Sequence, residues 1–291
     1  MVIRSTDNIV NLIDFYRLRK YMLISVIVTT FNRPKALTLV LLALNNQTDK
    51  HFEVIVADDG SGEETQVLID SMKTKVSYPL MHVWQKDKGF RAALARNKAV
   101  LISSGEYLIF LDGDCVPLPN WVSRHRVLAE DGWMVAGNRI LLSSKLTQTV
   151  ESRIDHIFTW GISKWIYYSF MGLINRWVPL IFVPLGFARK MGSKKWKKVR
   201  TCNFGVWRRD FFAVNGFDSS FEGWGFEDSD LAVRLINSGV RRKLGVYSTA
   251  VLHLWHREYD RSQTGRNNEI LLERIRSKKI ESTTGLKQLT H

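Results

Sequence analysis

Acidic residues are scarce in this 291-residue sequence: 28 Asp and Glu stand against 42 Lys and Arg, a formal charge of +14. That imbalance points to an anionic partner, whether nucleic acid, a phospholipid surface or a phosphorylated substrate. Cysteine is scarcer still. Cys115 and Cys202 are the only two and show no paired metal-binding spacing, which excludes a disulfide scaffold and suits a reducing cytosol. A membrane-spanning run is missing from the most apolar stretch, where the longest uncharged segment, 177–188, has 12 residues, short of the ~20 that cross a bilayer. The opening "MVIRSTDNIVNLIDFYRLRKYM" lacks an unbroken apolar core and a small-residue cleavage site, so it reads as an amphipathic extension and not as a secretory signal. Neither glycine-rich phosphate loop, G-x-G-x-x-G or G-x-x-x-x-G-K-[ST], is present.

What is present in the first half is alternation. "ISVIVTTFN" (24–32) and "FEVIVADDGS" (52–61) are β-branched apolar runs of strand type. Pro34 opens a helix with Leu37, Val40, Leu41 and Leu44 at helical spacing. A polar helix is expected near 62–73, a short strand at 81–85, a helix at 89–104, and strands at 106–114 and 134–142. Such alternation implies an α/β fold, a mainly parallel sheet with helices on both faces. Ligands of such sheets bind beyond the carboxyl ends of the strands. Thr30, Asp58–Asp59 and Asp112–Asp114 then share one crevice.

The acids at those ends carry the chemistry. "FLDGDCVP" sets Asp112 and Asp114 around Gly113, where a tight bend brings two carboxylates to one hard cation. Such a cation also binds a diphosphate and acts as a Lewis acid for its departure. Asp58 or Asp59 can accept hydrogen bonds from a base N–H or from ribose hydroxyls, although Asp-Gly-Ser is also ordinary turn chemistry. Together the two motifs describe a metal–nucleotide site.

Composition changes near 151. Residues 157–188 are rich in aromatic and aliphatic side chains, and seven Lys or Arg follow between Arg189 and Arg200. Two readings stand: an interfacial segment with its apolar face in the headgroup zone and its lysines on anionic lipid, or a buried helical hairpin with a solvated basic loop. A third concentration is "FEGWGFEDSDLAVRL" (221–235), which gathers Glu222, Glu227, Asp228 and Asp230 at a helix start. Acids there complement the helix dipole, but that does not call for the Gly-Trp-Gly in front.

The blocks "VIVTTFNRPKAL", "VIVADDGS", "QKDKGFRAALARN", "FLDGDCVP", "NFGVWRRDFFAVNGFDSSFEGWGFEDSDLAVRL" and "AVLHLWH", in that order, resemble family-two inverting glycosyltransferases of the GT-A fold. The later blocks also resemble galactosyltransferases. The likeness covers roughly 24–142 and 200–256. It implies a Rossmann-like GT-A sheet, a nucleotide-sugar donor, usually a UDP-sugar, and Mn²⁺ or Mg²⁺. Thr30, Asn32 and Arg33 match the first uridine-contacting loop, Asp58 with Asp59 the nucleoside-binding acid, and Asp87, Arg91 and Arg96 the block lining the nucleotide crevice. Asp112, Gly113 and Asp114 match the metal motif, and His253 the third ligand, with His256 as an alternative. An imidazole in such a site favours Mn²⁺. Trp224 matches a wall of the acceptor or donor site, Glu227 a contact to sugar hydroxyls, and Asp228 the general base. Asp230 remains as a dipole-and-cap acid. Asn203 matches a place for donor-sugar or backbone contacts.

The organisation expected is an N-terminal amphipathic extension (1–23), a nucleotide-sugar-binding half (24–142), an aromatic/basic helical insertion (151–199), an acceptor-binding and catalytic half (200–256) and a C-terminal helical tail (257–291). The resemblance to bacterial cell-envelope enzymes implies a lipid-linked, lipopolysaccharide or capsule acceptor. It also implies a peripheral place on the inner face of the cytoplasmic membrane, and no nucleic-acid partner. Two other classes compete: a nucleotidyltransferase, against which the glycine-free "VTTFNRPKA" argues, and a non-catalytic basic binding protein, which leaves the strand-end acids unexplained.

Overall fold

The computed structural model describes residues 21–257 and 261–290; the N-terminal extension before residue 21 lies outside them. Four parallel strands, β1 (Ile24–Thr30), β2 (Phe52–Asp58), β3 (Leu80–Trp84) and β4 (Tyr107–Asp112), form one side of a seven-stranded sheet. Their residues alternate between two cores. Val26, Val28, Val54, Val56, Ile109 and Leu111 face one. Ile27, Ile55, Ala57, Leu108 and Phe110 face the other. A sheet covered on both faces needs this near-continuous apolar sequence.

Helix α1 (Pro34–Asn45) buries Leu37, Val40, Leu41 and Leu44 on the first face. Helix α2 (Glu63–Lys73) follows β2, and α3 (Ala92–Ile102) covers the second face with Ala93, Ala95 and Ala99, whose small side chains let it approach closely. Helix α3 is shorter than the 89–104 expected: it is preceded by Arg91, whose N–H donates to the Asp59 carboxylate at 2.6 Å, and it ends at Ile102.

The run 134–142, expected as one strand, is two. Strand β5 (Cys115–Pro117) follows the Asp-Gly-Asp turn, and helix α4 (Trp121–Leu128) leads into β6 (Trp133–Ala136), which stays in the large sheet; β7 (Asn138–Leu141) leaves it for a second, three-stranded sheet. Gly137 makes the crossing, since a Cβ there would lie 2.2 Å from the Asn203 side chain. Asn203 explains the crowding. It is buried, accepts from Trp121 Nε1 and His125 Nε2 at 3.1 Å each, and donates to the Asn138 and Thr249 carbonyls. Its amide thus ties the two sheets together.

Helix α5 (Ser144–Arg153) leads into the aromatic segment, which contains α6 (Ile162–Phe170), and three short 3₁₀ turns lie between residues 157 and 190. Ile157, Phe158, Trp165 and Ile174 are buried in the first core. The chain then returns as β8 (Asn203–Trp207), inserted antiparallel between β4 and β6. Next come α7 (Arg208–Ala213), α8 (Glu227–Asn237), β9 (Arg241–Leu244) beside β6, and β10 (Ala250–His253) between β5 and β7.

Helix α9 (Thr264–Ser277), in the C-terminal tail, docks on α8. The contact is a buried ionic network. Asp230 accepts from Arg234 Nε at 2.7 Å and from Arg274 Nε at 2.8 Å, and Arg274 also reaches Asp218 at 2.6 Å. Asp230, expected as a cap, therefore spends both oxygens on arginines, and α8 has no side-chain cap. Arg274→Met would leave two buried carboxylates short of a cation, a loss of about 3–5 kcal/mol. Urea unfolding checks this; a change under about 1 kcal/mol would mean the network contributes little.

Candidate functional site

The parallel register aligns the strand ends: Thr29 lies beside Asp112 and Thr30 beside Asp58. Gly113 then turns the chain away, its N–H donating to the Thr29 carbonyl at 2.7 Å, so close that a Cβ would sit 3.0 Å from that oxygen. Beyond these ends opens a cleft of about 810 Å³. Two groups line it, Asp112, Gly113 and Asp114 at the end of β4 and Trp224, Glu227 and Asp228 at the start of α8.

The second group is built by backbone conformation. Gly223, Gly225 and Phe226 all have positive φ, at 72°, 114° and 73°. Glycine adopts this freely, which accounts for Gly-Trp-Gly. The turn is held from behind by Asn267 of α9, whose amide donates to the carbonyls of Glu222 and Gly225 at 3.1 Å each. Trp224 is left at the cleft with the Arg261 guanidinium 4.9 Å from its ring centre.

Arg96 joins the two groups. Buried on α3, it donates from Nε to Thr29 Oγ1 at 2.9 Å, lies 3.1 Å from Asp112, 3.5 Å from Glu227 and 4.0 Å from Asp228. Burial, then the Asp228 charge, push the Glu227 carboxyl up to about 7 against the pull of Arg96. Burial likewise raises Asp112 to about 6, with Arg96 opposing and Asp114 and Asp228 adding to the rise. Asp228 accepts a short hydrogen bond at Oδ1 from the Thr201 hydroxyl.

Asp114 collects a different set. Its carboxylate lies 3.6 Å from His253 Nε2 and 3.5 Å from His256 Nε2, and one ligand atom from each of the three falls within 4.8 Å of the others. Burial pushes His253 down to about 4, so its imidazole is neutral at physiological pH, as a metal ligand must be. A carboxylate with two imidazoles fits a first-row divalent cation. Arg33 also reaches Asp114 at 2.9 Å and Glu151 at 2.8 Å. Asp112 stands apart from this triad, near Cys115 and Cys202.

Thr30 lines the cleft with a buried hydroxyl that has no partner among the described residues, and Asp59 lines it while accepting from Gln85 at 2.6 Å. Burial raises the Asp59 carboxyl, opposed by hydrogen bonds from Arg91 and Gln85. Four expected residues stand behind the lining. Asn32 accepts from Gly62 N–H at 2.9 Å. Asp58 closes its own turn through Ser61 N–H at 2.8 Å and meets His82 at 3.0 Å. Burial would raise Asp58, but these bonds outweigh it and hold its carboxyl low. Asp87 accepts from Gly89 N–H at 2.9 Å, and Arg91 bonds the Lys86 carbonyl at 2.5 Å. These four hold the wall.

Sequence reasoning missed Thr201, Arg139 and the return of the basic run to the cleft. Arg139 was detectable in principle, since alternation along β7 sets it on the face of Leu141, and both line the cleft. Five of the seven basic residues divide between two roles in the fold and the cleft wall. Arg189 is buried on the carbonyls of Val183, Leu244 and Val246, and Lys190 pairs with Glu130. Lys197, Lys198 and Arg200 line the cleft.

The chain matches the family model described as "Glycosyl transferase family 2" over residues 25–196 and the one described as "N-terminal domain of galactosyltransferase" over 186–257. It is 29% identical over 230 residues to the validoxylamine A glucosyltransferase of Streptomyces hygroscopicus subsp. limoneus, covering 75% of this chain and 49% of that one. The chain spans about half or less of the length of the curated relatives it matches first. Its fold is similar to that of S. aureus TarS 1–349 in complex with UDP, with a TM-score of 0.59, 14% identity and coverage of 92% of this chain and 68% of that chain. It is also similar to mannosyltransferase PcManGT from Pyrobaculum calidifontis in complex with GDP-Man and Mn²⁺, with a TM-score of 0.56, 16% identity and coverage of 85% and 65%.

An acid whose folded pKa is raised destabilises the fold as pH climbs from its unfolded to its folded value. For Glu227 that window runs from 4.5 to about 7. Glu227→Gln is therefore expected to stabilise the metal-free protein at pH 8 by about 2–3 kcal/mol, with the gain fading toward pH 5. Urea titrations in chelator at both pH values test this; a gain independent of pH removes the buried-acid explanation.

Proposed function

The chain belongs to glycosyl transferase family 2 and has the GT-A fold, and from that premise we propose that it moves a sugar from a UDP-sugar to a glycan acceptor with inversion. The nucleotidyltransferase and non-catalytic readings give way to family membership. The observation that carries the proposal is that Asp112–Gly113–Asp114 and Glu227–Asp228 line one cleft and share Arg96.

In this reading Thr30 and Asp59 receive the nucleoside, with Asn32, Asp58, Asp87 and Arg91 bracing their loops. The orphaned Thr30 hydroxyl supports this, because a buried polar atom without a partner is rare unless a ligand supplies one. Arg139 and Arg33 face the diphosphate. Asp114, His253 and His256 would hold Mn²⁺ or Mg²⁺, which when bound would neutralise charge on the departing diphosphate.

Asp228 takes the proton from the acceptor hydroxyl. Thr201 engages Oδ1 and leaves Oδ2 for that proton. The acceptor oxygen forms its bond to the anomeric carbon as the bond to UDP breaks, and the bonding pair departs with the diphosphate. Glu227 and Trp224 hold the sugar. A second reading makes Glu227 the base, favoured by its pKa near neutrality. Asp228→Asn is expected to lower transfer by about 10²–10⁴-fold while UDP binding persists, measured by UDP release from a panel of UDP-sugars with Mn²⁺ and envelope glycolipids. Full activity in that variant with loss in Glu227→Gln would move the role to Glu227. Turnover unaffected by chelator would remove the metal.

We further place the acceptor on a lipid-linked, lipopolysaccharide or capsule glycan at an anionic membrane face. Among the described residues no helix is long and apolar enough to cross a membrane. Exposed apolar side chains nevertheless concentrate in the aromatic segment, with Phe170 and Phe187 at 85% and 82% exposure. Phe170→Glu with Phe187→Glu leaves the core untouched and is expected to reduce sedimentation with phosphatidylglycerol vesicles about tenfold or more. Undiminished binding would take the membrane role away from this segment.

A further inference from the structure

We propose that Lys197, Lys198 and Arg200 form an anion subsite on the acceptor side of the cleft, so that the acceptor carries a phosphate or carboxylate near its reacting hydroxyl. The inference rests on the glycosyl-transfer reading and names the acceptor's charge. Three observations carry it.

First, the loop is fixed in place. Val199 and Thr201 are buried, and Trp196 packs on the second core. Arg242, itself buried, donates its backbone N–H to the Ser193 carbonyl at 2.7 Å and its guanidinium to the carbonyls of Gly192 and Lys197 at 3.2 and 3.3 Å. The three cations therefore stand on a held backbone.

Second, their charge is uncompensated. None of the three has a carboxylate within ion-pair reach among the described residues, whereas Arg33 and Arg96 are each paired and Arg139 lies in the field of Asp112 and Asp114. Cations gathered at a concave site without counter-charge attract an anionic ligand group.

Third, the loop belongs to the base. Thr201, one residue after Arg200, donates to Asp228, while Asp114, His253 and His256 form a separate group. A donor diphosphate on that triad leaves the 197–200 cations on the loop that bonds Asp228, where the acceptor hydroxyl must lie.

The test uses the full chain at low ionic strength with saturating UDP and Mn²⁺, so that donor positions are filled. Inorganic phosphate, glucuronate and glucose are titrated by calorimetry. The expected result is that phosphate or glucuronate binds in the roughly millimolar range with UDP present, and glucose does not. Preference between the two anions identifies the acceptor's charged group. Lys198→Ala with Arg200→Ala is expected to weaken the anion about tenfold while UDP affinity changes less than about twofold. Expulsion of the anion by UDP, equal loss of UDP affinity, or unchanged anion binding in the variant overturns the proposal. So does a variant that keeps the anion but loses phosphatidylglycerol vesicles, which would turn the cations toward lipid. Failure of UDP to bind the wild-type protein is a failure of the donor reading, seen before any anion is added, and the acceptor assignment falls with it.

Discussion

Three carboxylates converge on one buried guanidinium: Asp112, Glu227 and Asp228 lie 3.1, 3.5 and 4.0 Å from Arg96. Acids this close repel in a partly desolvated cleft, and a single central cation offsets much of that repulsion. Arg96 can occupy this place because α3 is alanine-rich and approaches the sheet closely, and because Thr29 fixes its Nε. The two acid groups come from strands and helices more than a hundred residues apart in sequence. Without a common partner they have electrostatic reason to separate.

Arg96 leaves the compensation incomplete. Glu227 still titrates near neutrality, so the cleft is poised to exchange a proton. A different arrangement holds at Lys197, Lys198 and Arg200, which line the same cleft with no carboxylate in ion-pair reach among the described residues. A substrate crossing this site meets carboxylates in its depth and ammonium and guanidinium groups along one wall.

Much of this was legible in the sequence. Apolar strand runs ending in acids were readable because a sheet buried on both faces leaves only its ends for polar chemistry. Gly-Trp-Gly was readable as more than a cap, since two glycines flanking a tryptophan imply an unusual backbone. The breaks were harder. Nothing local in 134–142 announces a crossing between sheets, because the clash that enforces it comes from Asn203, far along the chain. Asp230 looked like its neighbours, and only the docking of α9 gives it Arg274. Asn32, Asp58, Asp87 and Arg91 matched a binding motif by residue type, yet their side chains bond to nearby loops. The basic run was legible as charge, but its division into a buried brace, an ion pair and a cleft wall depends on partners distant in sequence.

The asparagine and arginine of α9 that grip the Gly-Trp-Gly turn and Asp230 have a temporal consequence. During synthesis the strand-end acids leave the ribosome long before residue 267 does. A nascent chain thus displays Asp112, Asp114 and Asp228 with the turn behind Trp224 still unbraced. The turn stays unbraced until α9 arrives, and a stalled ribosome would hold a nearly complete sheet with an incompletely supported cleft.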